Sequence, residues 1–215
     1  MKKTKYVVKF LIATSIITAT CSPMIAHAAI TDNTTNISEA VNLSEDQNDI
    51  NVSDKLTYDQ LIKVVMKNEG LSKDQAKKFI GPRMESRAKG QFYRTFEKTV
   101  KVKSNYKPKV RFYCKTSEWD GYRGIMTLLN SSINRDYDGT SKQFNGTLYT
   151  NLEDANTIYF ELNGDFYYNG TTAFTGGTEI GVGEDTTIKF SASKTYSSNF
   201  FAYCNKEDRF YLNNN

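Results

Sequence analysis

After Gly90 the apolar residues stop recurring every third or fourth position and begin to alternate. Phe92, Phe96, Val100 and Val102 fall on one parity, while Tyr93, Thr95, Glu97, Thr99 and Lys101 fall on the other. A period of two belongs to a pleated strand with one buried face, and no helix buries such a pattern. The alternation returns in segments 109–116, 122–130, 144–152, 156–170, 186–192, 199–204 and 209–212, separated by turn signals at Asp120-Gly121, Asp138-Gly139, Asn169-Gly170, Gly176-Gly177 and Gly183. With no helical pattern between them, about eight or nine short strands point to a mainly β fold, an antiparallel β-sandwich.

The stretch Asn156 to Gly170, NTIYFELNGDFYYNG, reads as a β-hairpin turning at Asn163-Gly164, the dipeptide that a two-residue turn with two positive φ angles favours. Ile158, Phe160 and Leu162 would face the core. Tyr159, Glu161 and Asn163 would face outward.

A small αα-hairpin is expected ahead of the strands. Thr57-x-x-Gln60 and Ser72-x-x-Gln75 are capping boxes, and Tyr58, Leu61, Ile62, Val65 and Met66 form a stripe at helical spacing. Gly70 ends the first helix and Gly81-Pro82 the second. The pair is too small to fold alone, so it either docks on the strands or forms a removable pro-region. Arg83, Arg87 and Lys89 would be the cleavage points for the second alternative.

The N-terminus carries a secretory signal: Lys2, Lys3, Lys5 and Lys9, an apolar run from Phe10 to Ala19, and Ala26-His27-Ala28 as the cleavage motif. The apolar run is about half the ~20 residues a membrane span requires. Residues 1–28 are therefore a signal peptide and 29–55 an acidic leader. Between Ile30 and Asp54 there is no Lys, Arg or aromatic residue, and such a stretch buries too little to fold. Residues 56–89 are the helical segment and 90–215 the β domain. The signal and the Lys- and Asn-rich composition fit a bacterial, extracellular protein.

Losing the signal removes four of the 28 basic residues, leaving 24 against 24 acidic, and removes the single histidine, His27. A histidine-dependent triad, a Cys-His pair and a histidine metal ligand are thereby excluded from the mature chain. The charges form no basic stripe, so nucleic acid is not expected as a partner. After signal removal, no membrane span is expected either.

Cys114 and Cys204 remain, each with apolar residues two and four positions earlier on a strand pattern. In an oxidising compartment they are expected to form a disulfide. Asn134, Asp136 and Asp138, followed by Gly139, match the start of a calcium loop, but position twelve is Asn145, which lacks the bidentate carboxylate, and a plain turn explains the same residues. No other cofactor is suggested.

Carboxylate pairs are the only catalytic candidates: Glu118 and Asp120 around Trp119, and Glu161 and Asp165 around Asn163-Gly164. No residue is assigned a catalytic role. The chain holds 14 Tyr and 13 Phe, of which only Tyr6 and Phe10 lie in the signal. Tyr93, Tyr113, Tyr149, Tyr159 and Tyr203 fall on the outward parity and form the candidate ligand-binding set. The expected function is thus a secreted, non-enzymatic protein binding a cell-surface glycan, a wall polymer or an extracellular protein. The alternatives are an exported hydrolase using paired carboxylates, and a secreted toxin or antimicrobial factor with a helical pro-region.

Overall fold

The computed structural model describes residues 49–83 and 90–212. The signal peptide, most of the acidic leader and the Arg87–Lys89 cleavage points lie outside them. The protein is mainly β. A four-stranded antiparallel sheet has the order β1 (Ile50–Val52), β2 (Gln91–Thr99), β3 (Lys109–Trp119), β4 (Tyr122–Asn134). A small two-stranded hairpin, β5 (Asp136–Tyr137) and β6 (Thr140–Ser141), follows. A five-stranded antiparallel sheet is then built from β7 (Gln143–Asp154), β8 (Thr157–Tyr167), β9 (Thr172–Gly176), β10 (Asp185–Ala192) and β11 (Phe200–Tyr211), in the order β11-β8-β7-β10-β9.

The inward parities of both large sheets feed one apolar cluster that includes Phe96, Val110, Phe112, Leu128, Phe144, Leu148, Phe160, Leu162, Ile188 and Phe210. Phe96 meets Phe210 with ring centroids 4.9 Å apart, and Phe112 meets Phe160 at 5.7 Å. Each such ring stabilises the fold by roughly 1.5–3 kcal/mol through burial. Tyr106, in the loop between β2 and β3, plugs one end with edge-on contacts to Phe166 and Phe201.

The two capping boxes form as expected. Thr57 Oγ1 accepts from the Gln60 N–H and Gln60 Oε1 from the Thr57 N–H, opening α1 (Tyr58–Glu69). Ser72 and Gln75 do the same for α2 (Lys73–Ile80), and Gly70 between the helices takes the left-handed conformation at φ 66°. Their apolar faces, Tyr58, Leu61, Ile62, Val65, Ala76 and Ile80, pack onto Tyr93, Tyr113 and Leu129 on the outer face of the four-stranded sheet. The helical hairpin is docked.

Three expectations are corrected. First, a strand precedes the helices. Residues 50–52, within the stretch read as unstructured leader, pair with Phe96 to Lys98 of β2, and Arg94 and Thr95 add bonds to Ser53. Backbone pairing to an otherwise open sheet edge orders a segment whose own side chains bury little.

Second, Asn163-Gly164 is not a turn. β8 runs straight through it, with Gly164 opposite Gly146 of β7 on one side and Cys204 of β11 on the other. A Cβ on Gly164 would stand 2.6 Å from the Gly146 Cα and 2.9 Å from the Phe144 ring, so this glycine serves close approach. The actual β7–β8 turn lies at Asp154 to Asn156, where Asp154 Oδ1 accepts from the Asn156 N–H at 2.6 Å. Asp120-Gly121 and Asp138-Gly139 do turn as expected, with φ of 44° and 83°, and of 49° and 69°.

Third, Cys114 and Cys204 are both buried and both free. They share a core, as their parity implied, but lie on β3 and β11 of different sheets. Phenylalanine pairs, Phe96 with Phe210 and Phe112 with Phe160, join the two sheets in that core.

Candidate functional site

The five outward tyrosines divide between two surfaces. Tyr93 and Tyr113 lie on the four-stranded sheet and are buried under α1 and α2. Tyr113 is fully enclosed, and its hydroxyl donates to Glu69 at the C-terminal end of α1. They anchor the helices and face no solvent. Tyr149, Tyr159 and Tyr203 lie on the outer face of the five-stranded sheet, which none of the described helices covers.

On that face the side chains hold one another in place. Tyr149 and Tyr159, diagonal neighbours across β7 and β8, meet edge to face with centroids 6.1 Å apart. The Tyr159 hydroxyl donates to Glu207 Oε2 at 2.8 Å, and this bond to a carboxylate leads the causes that raise the phenol above its ordinary range. The guanidinium of Arg209 lies 5.0 Å from the Tyr159 ring centre and donates from Nε and Nη2 to both oxygens of Glu153, at 2.8 Å each. That two-pronged bond holds the Glu153 carboxyl below the usual carboxylate range. Further along, Tyr203, 57% exposed, donates to Asn163 Oδ1 at 3.1 Å. The result is an ordered face of Tyr, Arg, Glu and Asn side chains. A shallow open depression beside Tyr159 is lined by Glu207, Asp208, Arg209 and Tyr211.

Arg209, Glu207 and Tyr211 were missed in sequence because segments 199–204 and 209–212 read as separate strands. They form one continuous β11, in which residues 203, 205, 207, 209 and 211 share the outward parity. Reading the alternation straight through the charged run Lys206 to Arg209 would have placed all of them on the face.

The two carboxylate pairs have different settings. Glu161 and Asp165 lie four residues apart on β8, a backbone separation of about 13 Å. Glu118 is buried and receives both Nε and Nη2 of Arg94, at 2.6 and 2.9 Å, as well as the Thr116 hydroxyl. Burial alone would raise its carboxyl, but these bonds and the charges of Arg94 and Arg123 bring it down to about 2. The carboxylate is held as an anion by its arginine partners.

Asn134, Asp136 and Asp138 belong to the β5–β6 hairpin and its approach. Asn134 Oδ1 accepts from the Asp136 N–H at 3.2 Å, so the asparagine caps a turn. Among the described residues no group of three or more His, Cys, Asp or Glu side chains is placed to hold a metal. None of the described helices is long and apolar enough to cross a membrane.

No known protein family, curated protein or solved structure matches this chain.

Proposed function

We propose that the protein is a secreted β-sandwich binding module, its two large sheets packed face to face, that docks an extracellular protein on the outer face of the five-stranded sheet. The observation that carries this is the ordered cluster of Tyr149, Tyr159 and Arg209, held by Glu153 and Glu207. Tyrosine and arginine are the residue types enriched at protein interfaces, and side chains already fixed by their neighbours lose little freedom on binding. The face is open and shallow, which suits a protein surface better than a small molecule.

A protein is favoured over a glycan at this place by ring orientation. Tyr159 has Arg209 over its ring and Tyr149 packed against it at a steep angle, which leaves it poorly disposed to stack flat on a sugar. Export to the cell exterior rests on the N-terminal signal read from the sequence. The docked helical hairpin supports a single folded unit and weighs against a pro-region, because its removal would uncover Tyr93, Tyr113 and Leu129.

The test compares binding of the purified protein to immobilised extracellular and serum proteins before and after Tyr159→Ala combined with Arg209→Ala. Loss of at least tenfold in affinity for a captured protein, with the melting temperature maintained, supports the proposal. Unchanged affinity removes this face from consideration.

A further inference from the structure

The single tryptophan of the chain is 60% exposed at the tip of the β3–β4 hairpin, far from where an aromatic of that size gains by burial. Its setting is built. The Asp120-Gly121 turn, with two positive φ angles, holds Trp119 directly opposite Tyr122, their ring centroids 5.8 Å apart and their planes at 43°. Tyr122 lies over Gly124, where any Cβ would collide with its hydroxyl, so the absent side chain is what lets that ring lie along the strand. The two rings form an open V over a depression of about 180 Å³.

The floor and far wall of this depression carry charge. Its lining includes Lys55, Glu118, Asp120 and Arg123. Glu118 is only 4% exposed at its side chain and is consumed by Arg94 and Thr116 beneath the surface. Lys55 and Arg123 approach it at 3.4 and 3.6 Å but remain 49% and 30% exposed. Arg123 Nε is buried against Glu118 without a hydrogen bond, so what this 30% exposed guanidinium offers outward is its Nη groups. Among the described residues Asp120 is the one anion at the rim. Counting Arg94 beneath, three described cations stand against two described anions, and the better-shielded anion is already satisfied.

We infer that this depression binds an acidic sugar unit of a saccharide chain, the C–H face of its ring on Trp119 and Tyr122 and its carboxylate or sulfate on Lys55 and Arg123. Aromatic faces take the apolar side of a pyranose, and a guanidinium with free donors matches a planar or tetrahedral oxyanion. The volume suits about one sugar residue and falls below the ~300 Å³ at which small-molecule pockets begin. An acidic peptide would share the charge but has no ring to lay on the V. The site lies on the opposite sheet from the tyrosine face and does not depend on it.

The lone tryptophan makes the site its own reporter. Tryptophan emission is followed while the full protein is titrated with a glucuronate-containing hyaluronan oligosaccharide, a sulfated heparin oligosaccharide, an uncharged maltooligosaccharide and a short poly-glutamate peptide. A saturable change with the hyaluronan or the heparin fragment, at least tenfold weaker in Lys55→Gln combined with Arg123→Gln and weakened by salt, is expected, and the stronger arm identifies carboxylate or sulfate as the acid. Tyr159→Ala with Arg209→Ala leaves the response unchanged, which separates this site from the tyrosine face. Calorimetry on Trp119→Phe provides a readout free of the reporter and is expected to show weakened binding. No response to either acidic saccharide, an equal response to the maltooligosaccharide, or a response to poly-glutamate alone overturns the assignment.

Discussion

The phenol of Tyr113 donates to Glu69 Oε1 at 2.5 Å, and the same oxygen accepts from Ser132 at 2.7 Å and from Arg111 at 3.0 Å. Arg111 in turn holds Glu97 at 2.7 Å. One carboxylate at the end of α1 is thereby tied to β3 and β4, and the helical hairpin is fixed by a buried polar network as well as by apolar contact. Burial comes first among the causes that push the Tyr113 phenol far above its ordinary range, so it remains a donor at any physiological pH.

Truncating this network is expected to loosen the helices. Tyr113→Phe removes one bond and is predicted to cost about 1–3 kcal/mol, because Glu69 loses a buried donor. Glu69→Ala leaves Arg111 with a single carboxylate partner and is predicted to cost more, toward ~3–5 kcal/mol. Chemical denaturation measures both. Limited proteolysis of the Glu69 variant should release the segment containing α1 and α2 before the strands are cut.

Glu118 provides a pH-dependent contribution. Its carboxyl titrates at about 2 in the folded protein against an ordinary 4.5, so its contribution is fully present above pH 4.5 and is lost as pH falls through that value toward 2. The difference in melting temperature between the native protein and Glu118→Gln should therefore be largest at neutral pH, corresponding to about 3 kcal/mol, and shrink steadily below pH 4.5. A constant difference down to pH 2 would show that the Arg94 pair is not what the carboxylate stabilises.

The two cysteines are predicted to behave as inert core thiols. Burial raises Cys114 well above its ordinary range and Cys204 up to about 11. A thiol reagent at neutral pH should leave both unmodified in the folded protein and label both, by peptide mapping, after denaturation. A reductant should not shift the melting temperature. A reductant-dependent loss of stability would instead reveal a bond between them.

The glycine pair at the centre of the five-stranded sheet offers a packing test. Gly164→Ala places a methyl against Gly146 and the Phe144 ring, and is predicted to cost about 1–3 kcal/mol. Asn163→Ala, one residue away on the outer face, should cost far less, although the Asn-Gly dipeptide marks both as turn residues in sequence.

That contrast shows what the residue pattern carries and what it does not. Local signals were legible. Thr57 and Ser72 cap their helices, Asp120-Gly121 and Asp138-Gly139 turn, and Ile158, Phe160 and Leu162 are buried, because each depends on neighbours a few residues away. Asn163-Gly164 misled because the same dipeptide serves a tight turn and a close crossing of strands, and only Gly146 on the neighbouring strand distinguishes them. Parity separated inward from outward residues but not one sheet from another. Tyr113 and Tyr149 therefore looked equivalent, although helices cover the first and leave the second open. The cysteines failed for the same reason: a shared core is readable from alternation, and the spacing between two sheets is not.

The central claim is that the outer face of the five-stranded sheet is where a protein partner docks. The direct measurement places a photo-crosslinking benzoylphenylalanine at Tyr149 or at Tyr203, with Tyr196, which lies in the loop before β11 and is as exposed as Tyr203, as the control. Irradiation in extracellular fluid, followed by mass spectrometry, is predicted to yield adducts to one and the same protein from positions 149 and 203 and none to it from position 196. Adducts that are absent, or that form equally from all three positions, would contradict the account.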